Sequence, residues 1–392
     1  MSLALGFALA QVVFQGGGAW LRADTIQPAP DEVVTPAAPG LRAGWSWAES
    51  VARERRLEAW WVGWTVEGDT TGGVWYYADR RLPDDDGRGA ASSQTLLTGM
   101  SGSMGFSGAK PGSLTGTLDP HAMAVLLRYE RRGDQVVLAR MHVGNAVFPL
   151  RFGRGPLLWL GPAGDTESVD RLAALFASGA PFWRDLVAAV GVHRDAGAAI
   201  PVLVGWLEGG DTASVRREAA VWLGRHAQPA VIDALTKAAR EDPEMNVRRS
   251  AIQALGRIHD ERAVRALTAI VEDPGDAPAA RKEAVAVIGR RPAPGEAPPE
   301  TIELLLRAAR NDADRTVQTQ AVQSLAGLGA VDALHAIAWE HSRVETQRAA
   351  VRGLAAFDTD AVRGLLADIA EKHPSPDIRR TALQVIAGLA VR

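Results

Sequence analysis

The chain has no cysteine among its 392 residues. That removes disulfides, thiolate metal sites, cysteine nucleophiles and thioether attachment of a bilin or haem. It also lacks a surplus of either charge: 43 basic side chains face 46 acidic ones, for a net charge of −3. Each half, divided at residue 180, stays near neutrality. Neutralising a phosphate backbone needs a basic excess, so nucleic acid is not an expected partner. No run reaches 18 uninterrupted apolar residues, and no transmembrane helix is expected. What remains is 47% apolar and 23% charged, enough to bury a substantial core. At about 150 residues per domain, the length predicts two or three domains.

The apolar run Leu3–Ala10 ends in Ala8-Leu9-Ala10 before Gln11, the small-x-small form of a signal-peptidase site. No Lys or Arg precedes it, so residues 1–10 read either as a truncated signal segment or as an apolar tail. Residues 11–42 read as a Pro/Ala-rich linker, with four prolines between Ala23 and Arg42. A tether directly after such a site predicts a periplasmic or secreted protein, with the cytoplasm as the alternative.

Self-similarity begins at about residue 181. Val215-Arg-Arg-Glu-Ala-Ala-Val-Trp-Leu-Gly224 matches the ten residues from Val247 to Gly256 and again those from Ala280 to Gly289. Weaker copies begin at Phe182, Val317, Thr346 and Ile378, at intervals of 33, 32, 33, 37, 29 and 32 residues. The fifth place is mostly small (Ala219, Ala251, Ala284) and the ninth a branched aliphatic (Leu223, Leu255, Ile288). Four residues apart, these lie on one helical face, where the small residue admits a neighbouring helix. The tenth is Gly or Ala, read here as a helix end at positive φ. A second helix completes each unit, as at Pro229–Arg240 and Ala263–Glu272, and Asp211, Asp242, Asp276 and Asp314 mark turns between units. Each of the first three lies five or six residues before an arginine, a spacing that predicts caps and ion pairs.

This pattern resembles HEAT repeats of the short phycobilisome-lyase-like type over residues 181–392, about six and a half repeats, as in uncharacterised bacterial HEAT-repeat proteins. The resemblance implies an α-solenoid in which stacked helix pairs close a core that no single pair can bury. Relatives of this type include an iron-dependent hydroxylase similar to deoxyhypusine hydroxylase, whose ligands are His-Glu pairs on the first helices. Here the third and fourth positions hold Arg217-Glu218, Arg249-Ser250, Lys282-Glu283, Thr319-Gln320, Arg348-Ala349 and Arg380-Thr381, with no histidine. Nor does any residue support bilin lyase activity.

Residues 43–180 lack the repeat and read as a Trp-rich α+β domain. Gly44–Leu57 predicts a helix and Leu57–Glu67 a strand, with Val74–Arg80 as its partner. Ala124–Glu130 and Gln135–Val143 flank Arg131-Arg-Gly-Asp134 as a hairpin, and Val147–Phe152 and Leu157–Leu160 add strands. Asp165–Ser178 predicts a helix capped by Asp165 or Thr166. Trp159, Trp183, Trp206 and Trp222 suggest that this domain covers the open end of the array.

Trp45, Trp47, Trp60, Trp61, Trp64 and Trp75 fall within 31 residues. They read as the core of a small domain, with a stacking surface for a glycan or partner protein as the alternative. The Gly/Ser-rich stretch Thr98–Thr117 holds only fragments of catalytic motifs, around Ser107 and Lys110, and reads as a loop. His193, His226 and His259 recur just after helix ends, where an imidazole can meet open carbonyls. No catalytic, cofactor or metal residues are assigned, and no enzymatic activity is expected. The expected function is a protein–protein interaction scaffold, with a cell-envelope glycan- or peptidoglycan-binding module as the alternative. Its expected contact row is the third position, Arg184, Arg217, Arg249, Lys282, Arg348 and Arg380, which suits an acidic protein surface.

Overall fold

The computed structural model describes residues 32–37, 40–68, 76–78, 122–145, 155–293 and 295–389. The chain divides into two compact units between Gly205 and Trp206. The first is built on one six-stranded mixed sheet of order β1-β6-β2-β4-β5-β3. Its elements are β1 (Val33–Val34), α1 (Leu41–Glu54), β2 (Ala59–Glu67), β3 (Tyr76–Ala78), β4 (Ala122–Arg132), β5 (Gln135–Asn145), β6 (Leu157–Pro162) and α2 (Asp165–Ala177). The β4–β5 hairpin turns through Gly133-Asp134, with Gly133 at φ 63°, a left-handed conformation open to glycine.

Three local expectations change. β3 pairs antiparallel with β5 at the sheet edge, not with β2, whose neighbours are β4 and the parallel β6. Gly164, not Asp165 or Thr166, is the N-cap of α2, because the Asp165 carboxylate accepts the Asp195 N–H at 2.9 Å instead. Val33 and Val34, within the stretch read as a linker, join the sheet beside Leu157 and Leu158. Residues 1–10, Val147–Phe152 and Thr98–Thr117 lie outside the described residues.

The core of this unit is aromatic. Trp64 is fully buried and its indole N–H donates to Ser168 Oγ at 2.8 Å, tying β2 to α2. Trp45 of α1 meets Trp64 and Tyr129 edge-on at 6.1 and 6.2 Å, and Trp60 stacks on Tyr129 at 5.8 Å. Arg171 lies 4.3 Å over the Trp45 ring. Burial among these rings pushes the Tyr129 phenol above its ordinary pKa. On the other strand-facing side, Gly63 leaves a gap filled by Leu126 and Trp159. Helices α3 (Trp183–Gly191) and α4 (Ala196–Gly209) follow, α3 packing on α2, β3 and β5.

The second unit is helical throughout its described residues. First helices α5 (Ala213–Leu223), α7 (Met245–Arg257), α9 (Pro278–Ile288), α11 (Arg315–Gly327), α13 (Val344–Leu354) and α15 (Pro376–Leu389) alternate with second helices. These are α6 (Pro229–Glu241), α8 (Glu261–Glu272), α10 (Pro299–Asn311), α12 (Val331–Glu340) and α14 (Asp360–Lys372). Fifth-position alanines and ninth-position aliphatics are fully buried from Ala219 and Leu223 to Ala350 and Leu354. The proline-rich segment after Arg291 is the loop expected between α9 and α10.

The tenth-position glycine works differently from expectation. Gly224 and Gly289 have φ −61° and −68°, and Gly256 lies within α7. A Cβ on Gly224 would sit 2.8 Å from Ala254 Cα, and Cβ atoms on Gly256 and Gly289 would overlap Val287 and Ser324. Glycine is needed there for the close approach of consecutive first helices, not for a left-handed turn. The first helices pack against one another from α5 to α15, whereas consecutive second helices touch only sparsely.

Candidate functional site

The turns between units are joined into a polar ladder by the second position of each first helix. Arg216 grips the Asp242 carboxylate bidentately at 2.7 and 3.1 Å and donates to the Gly210 carbonyl at 3.0 Å. Arg281 grips Asp312 at 2.8 and 3.0 Å and also donates to the Asp276 carbonyl. Arg248, Gln318 and Arg379 donate to the carbonyls of Asp242, Asp312 and His373, each six residues earlier. The sequence spacing therefore finds the right arginines but the wrong acceptor atoms. Each carboxylate is turned back toward the preceding unit because its second oxygen accepts the N–H two residues on, from Glu244 at Asp242 and from Asp314 at Asp312. Pairing with these acids holds Arg216 and Arg281 above their ordinary pKa.

His341 and His373 occupy the same turn place as Asp242 and Asp312. Each accepts the N–H two residues on at Nδ1 (Arg343 at 3.0 Å, Ser375 at 3.1 Å), and each Nε2–H donates to a carbonyl of the previous second helix, Ala309 or Ala338. This recurrence escapes a reading of histidines as isolated residues, since Asp and His share only an acceptor at a similar reach. His193 Nδ1 donates to the Ala189 carbonyl at 2.7 Å, and burial lowers its pKa below the usual 6.5. His226 is buried and His259 exposed.

Where second helices part, clefts open. One of about 430 Å³ lies between α8 and α10, floored by Leu304, Ala308 and the Arg281–Asp312 pair. Another of about 390 Å³ lies beside α6 over Arg216 and Asp242. The arginines of both floors are already engaged by protein acceptors. Exposed ion pairs link successive second helices: Lys237–Glu208 at 3.3 Å, Arg240–Asp273 at 3.3 Å, Arg307–Glu272 at 2.7 Å, and Arg310–Glu340.

The expected contact row is placed as follows. Arg217 and Arg348 are half-buried, and Arg249, Lys282 and Arg380 are exposed; Arg184, also half-buried, belongs to the first unit. Arg249 lies 3.6 Å from Glu283, and Arg348 and Arg380 lie 3.9 and 3.4 Å from Asp377. Arg217 and Lys282 form no ion pair among the described residues. Of the aromatic set, Trp45, Trp60, Trp61 and Trp64 are buried, so these four supply core rather than a stacking surface. Trp47 is half-buried, and Trp75 lies outside the described residues.

Residues 200–278 match the family model of HEAT repeats. The helical half is a HEAT-like α-solenoid. No helix among the described residues is long and apolar enough to cross a membrane. Among solved structures, the HEAT array is similar to the CpcE–CpcF complex of phycocyanin lyase from Nostoc sp. PCC7120, at 26% identity and a TM-score of 0.29, over 48% of this chain and 76% of that one. It is also similar to human deoxyhypusine hydroxylase (18% identity, TM-score 0.28, 57% and 85% covered). A third likeness is an archaeal HEAT-like repeats protein from Thermococcus onnurineus NA1 (16%, 0.31, 57% and 97%). Comparison with curated proteins finds no match.

Proposed function

We propose that this chain is a non-catalytic interaction scaffold whose HEAT array binds a partner protein through the outward face of its first helices. The carrying observation is the recurrence of basic side chains at one repeat position on adjacent helices. Arg217, Arg249 and Lys282 stand on α5, α7 and α9, and those helices pack side by side. Recurrence on a stacked array turns a single repeat position into a line, the geometry by which solenoids make extended binding surfaces. Arginine forks suit carboxylates, so the partner presents an acidic surface. Arg348 and Arg380 contribute less, because Asp377 already sits between them.

The test is affinity capture from a native cell extract with the intact chain and with the triple variant Arg217→Glu, Arg249→Glu, Lys282→Glu. A partner retained by the former and lost by the latter, with helical circular dichroism unchanged, is the expected result. An identical set of captured proteins from both would overturn the reading.

A further inference from the structure

The third position is not the only basic row on this face. Eight residues later in the same three units stand Arg225 and Arg290, two residues past the ends of α5 and α9, and Arg257, the last residue of α7. A cation there complements the helix dipole. Residues at steps of four share a helical stripe, and the intervening seventh position holds Val221, Gln253 and Ala286, none of them charged. Arg249, Arg257, Lys282 and Arg290 are exposed, and Arg217 and Arg225 are half-buried. Arg225 lies 5.6 Å over the Trp222 ring. Two acids stand within the grid: Glu218, buried beside Arg217 on α5, and Glu283, 3.6 Å from Arg249 and 3.8 Å from Arg290. On α11, α13 and α15 the same stripe turns mixed: Arg315 ahead of Thr319 and Gln323, then Glu345 beside Arg348 and Arg352, then Asp377 beside Arg380. A second basic row accompanies the first only on α5, α7 and α9, since the equivalent places of the later units hold Gly327, Ala356 and Gly388.

From this grid we infer the form of the acidic ligand: an extended peptide segment lying across α5, α7 and α9 with a carboxylate at every third residue. The inference rests on the scaffold reading above and adds a ligand geometry to it. Neighbouring helix axes lie about 8–10 Å apart. In the polyproline II form of extended chain, three residues make one turn and span about 9 Å, so every third side chain faces the same way. The two repeats therefore match, one carboxylate per helix. On α7, which holds both Arg249 and Arg257, the two rows lie about 12 Å apart, from eight residues at about 1.5 Å rise. That spacing lets them take carboxylates from two segments or from a segment and its flank. A continuous polyanion fits less well, because the chain carries a net charge of −3 and Glu218 and Glu283 stand on the grid's own helices.

The probe is a fluorescent peptide of Glu-Ala-Ser repeats, read by anisotropy against the full chain, with a control of the same composition whose glutamates are contiguous. We expect the periodic peptide to bind about tenfold more tightly than the control. We also expect the pairs Arg217→Glu/Lys282→Glu and Arg257→Glu/Arg290→Glu each to weaken it by about tenfold. Arg352→Glu, on α13, should leave binding unchanged. Glutamine versions of both pairs, with melting curves, separate lost charge from lost fold. Loss confined to the third-position pair overturns the grid while leaving the scaffold reading intact. Equal binding of the two peptides overturns the periodic match. Equal sensitivity of a single-stranded oligonucleotide or of anionic vesicles to both pairs overturns the peptide as occupant. Failure of the peptide to bind, with partner capture still lost in the triple variant, sinks this inference but not the scaffold.

Discussion

In the sheet unit the large side chains hold places that do not recur: Trp64 reaches Ser168, and Trp159 and Leu126 fill the space above Gly63. In the helical unit the same few contacts return every thirty-odd residues, with Ala and Leu or Ile at the fifth and ninth places and glycine at the tenth. A non-repeating core stakes its stability on single residues, whereas a repeating one spreads it over interfaces between neighbours. A substitution in the first should therefore be felt globally within that unit, and one in the second mainly at two adjoining pairs.

The sharpest test of that contrast is Trp64→Ala. It removes the largest fully buried side chain and its hydrogen bond, and should cost about 3–5 kcal/mol. Urea unfolding followed by near-ultraviolet circular dichroism should show the sheet unit lost as a whole; a small, local effect would break the comparison. Next comes Asp312→Ala, which strands the mostly buried Arg281 and should cost about 2–3 kcal/mol. Hydrogen exchange should place the loss around α9 to α11, leaving α13 to α15 protected. Gly224→Ala forces a methyl group against Ala254 backbone and should cost about 1–3 kcal/mol, loosening α5 from α7.

The smallest effect is a pH dependence confined to the sheet unit. Burial depresses the His193 pKa below 6.5, so the folded unit stays neutral where the unfolded chain takes up a proton. Its contribution is fully present above pH 6.5 and is lost as the pH falls below that value toward the folded pKa. His193→Gln should reduce that slope in urea titrations at successive pH values, leaving the part due to His142, which burial lowers to about 4. A slope unchanged by the substitution would assign the effect elsewhere.

The array was legible because helix-face periodicity repeats: the fifth and ninth positions alone locate the units. The tenth-position glycine was misread, since a positive φ and a close helix approach both call for a missing Cβ, and only the neighbour at Ala254 or Val287 tells them apart. The Arg216–Asp242 and Arg281–Asp312 pairs were hidden by nearer acids in sequence, five residues before each arginine. Sheet order was hidden too: β2 and β6 are parallel neighbours separated by about ninety residues, with no local pattern to announce the pairing. The burial of half the tryptophans followed from strand alternation, but Trp61 is buried on the opposite side from Trp60 as well, because both faces of β2 are covered.

Close glycine contacts along the first helices and sparse, ion-paired gaps along the second give the helical unit unequal compliance on its two sides. The tight side resists compression and serves as a neutral axis, while flexing opens or narrows the gaps on the other. The links across those gaps are surface charges worth under about 1 kcal/mol each and screened by salt. Higher ionic strength is thus expected to loosen the second-helix side of the array while the packed side holds.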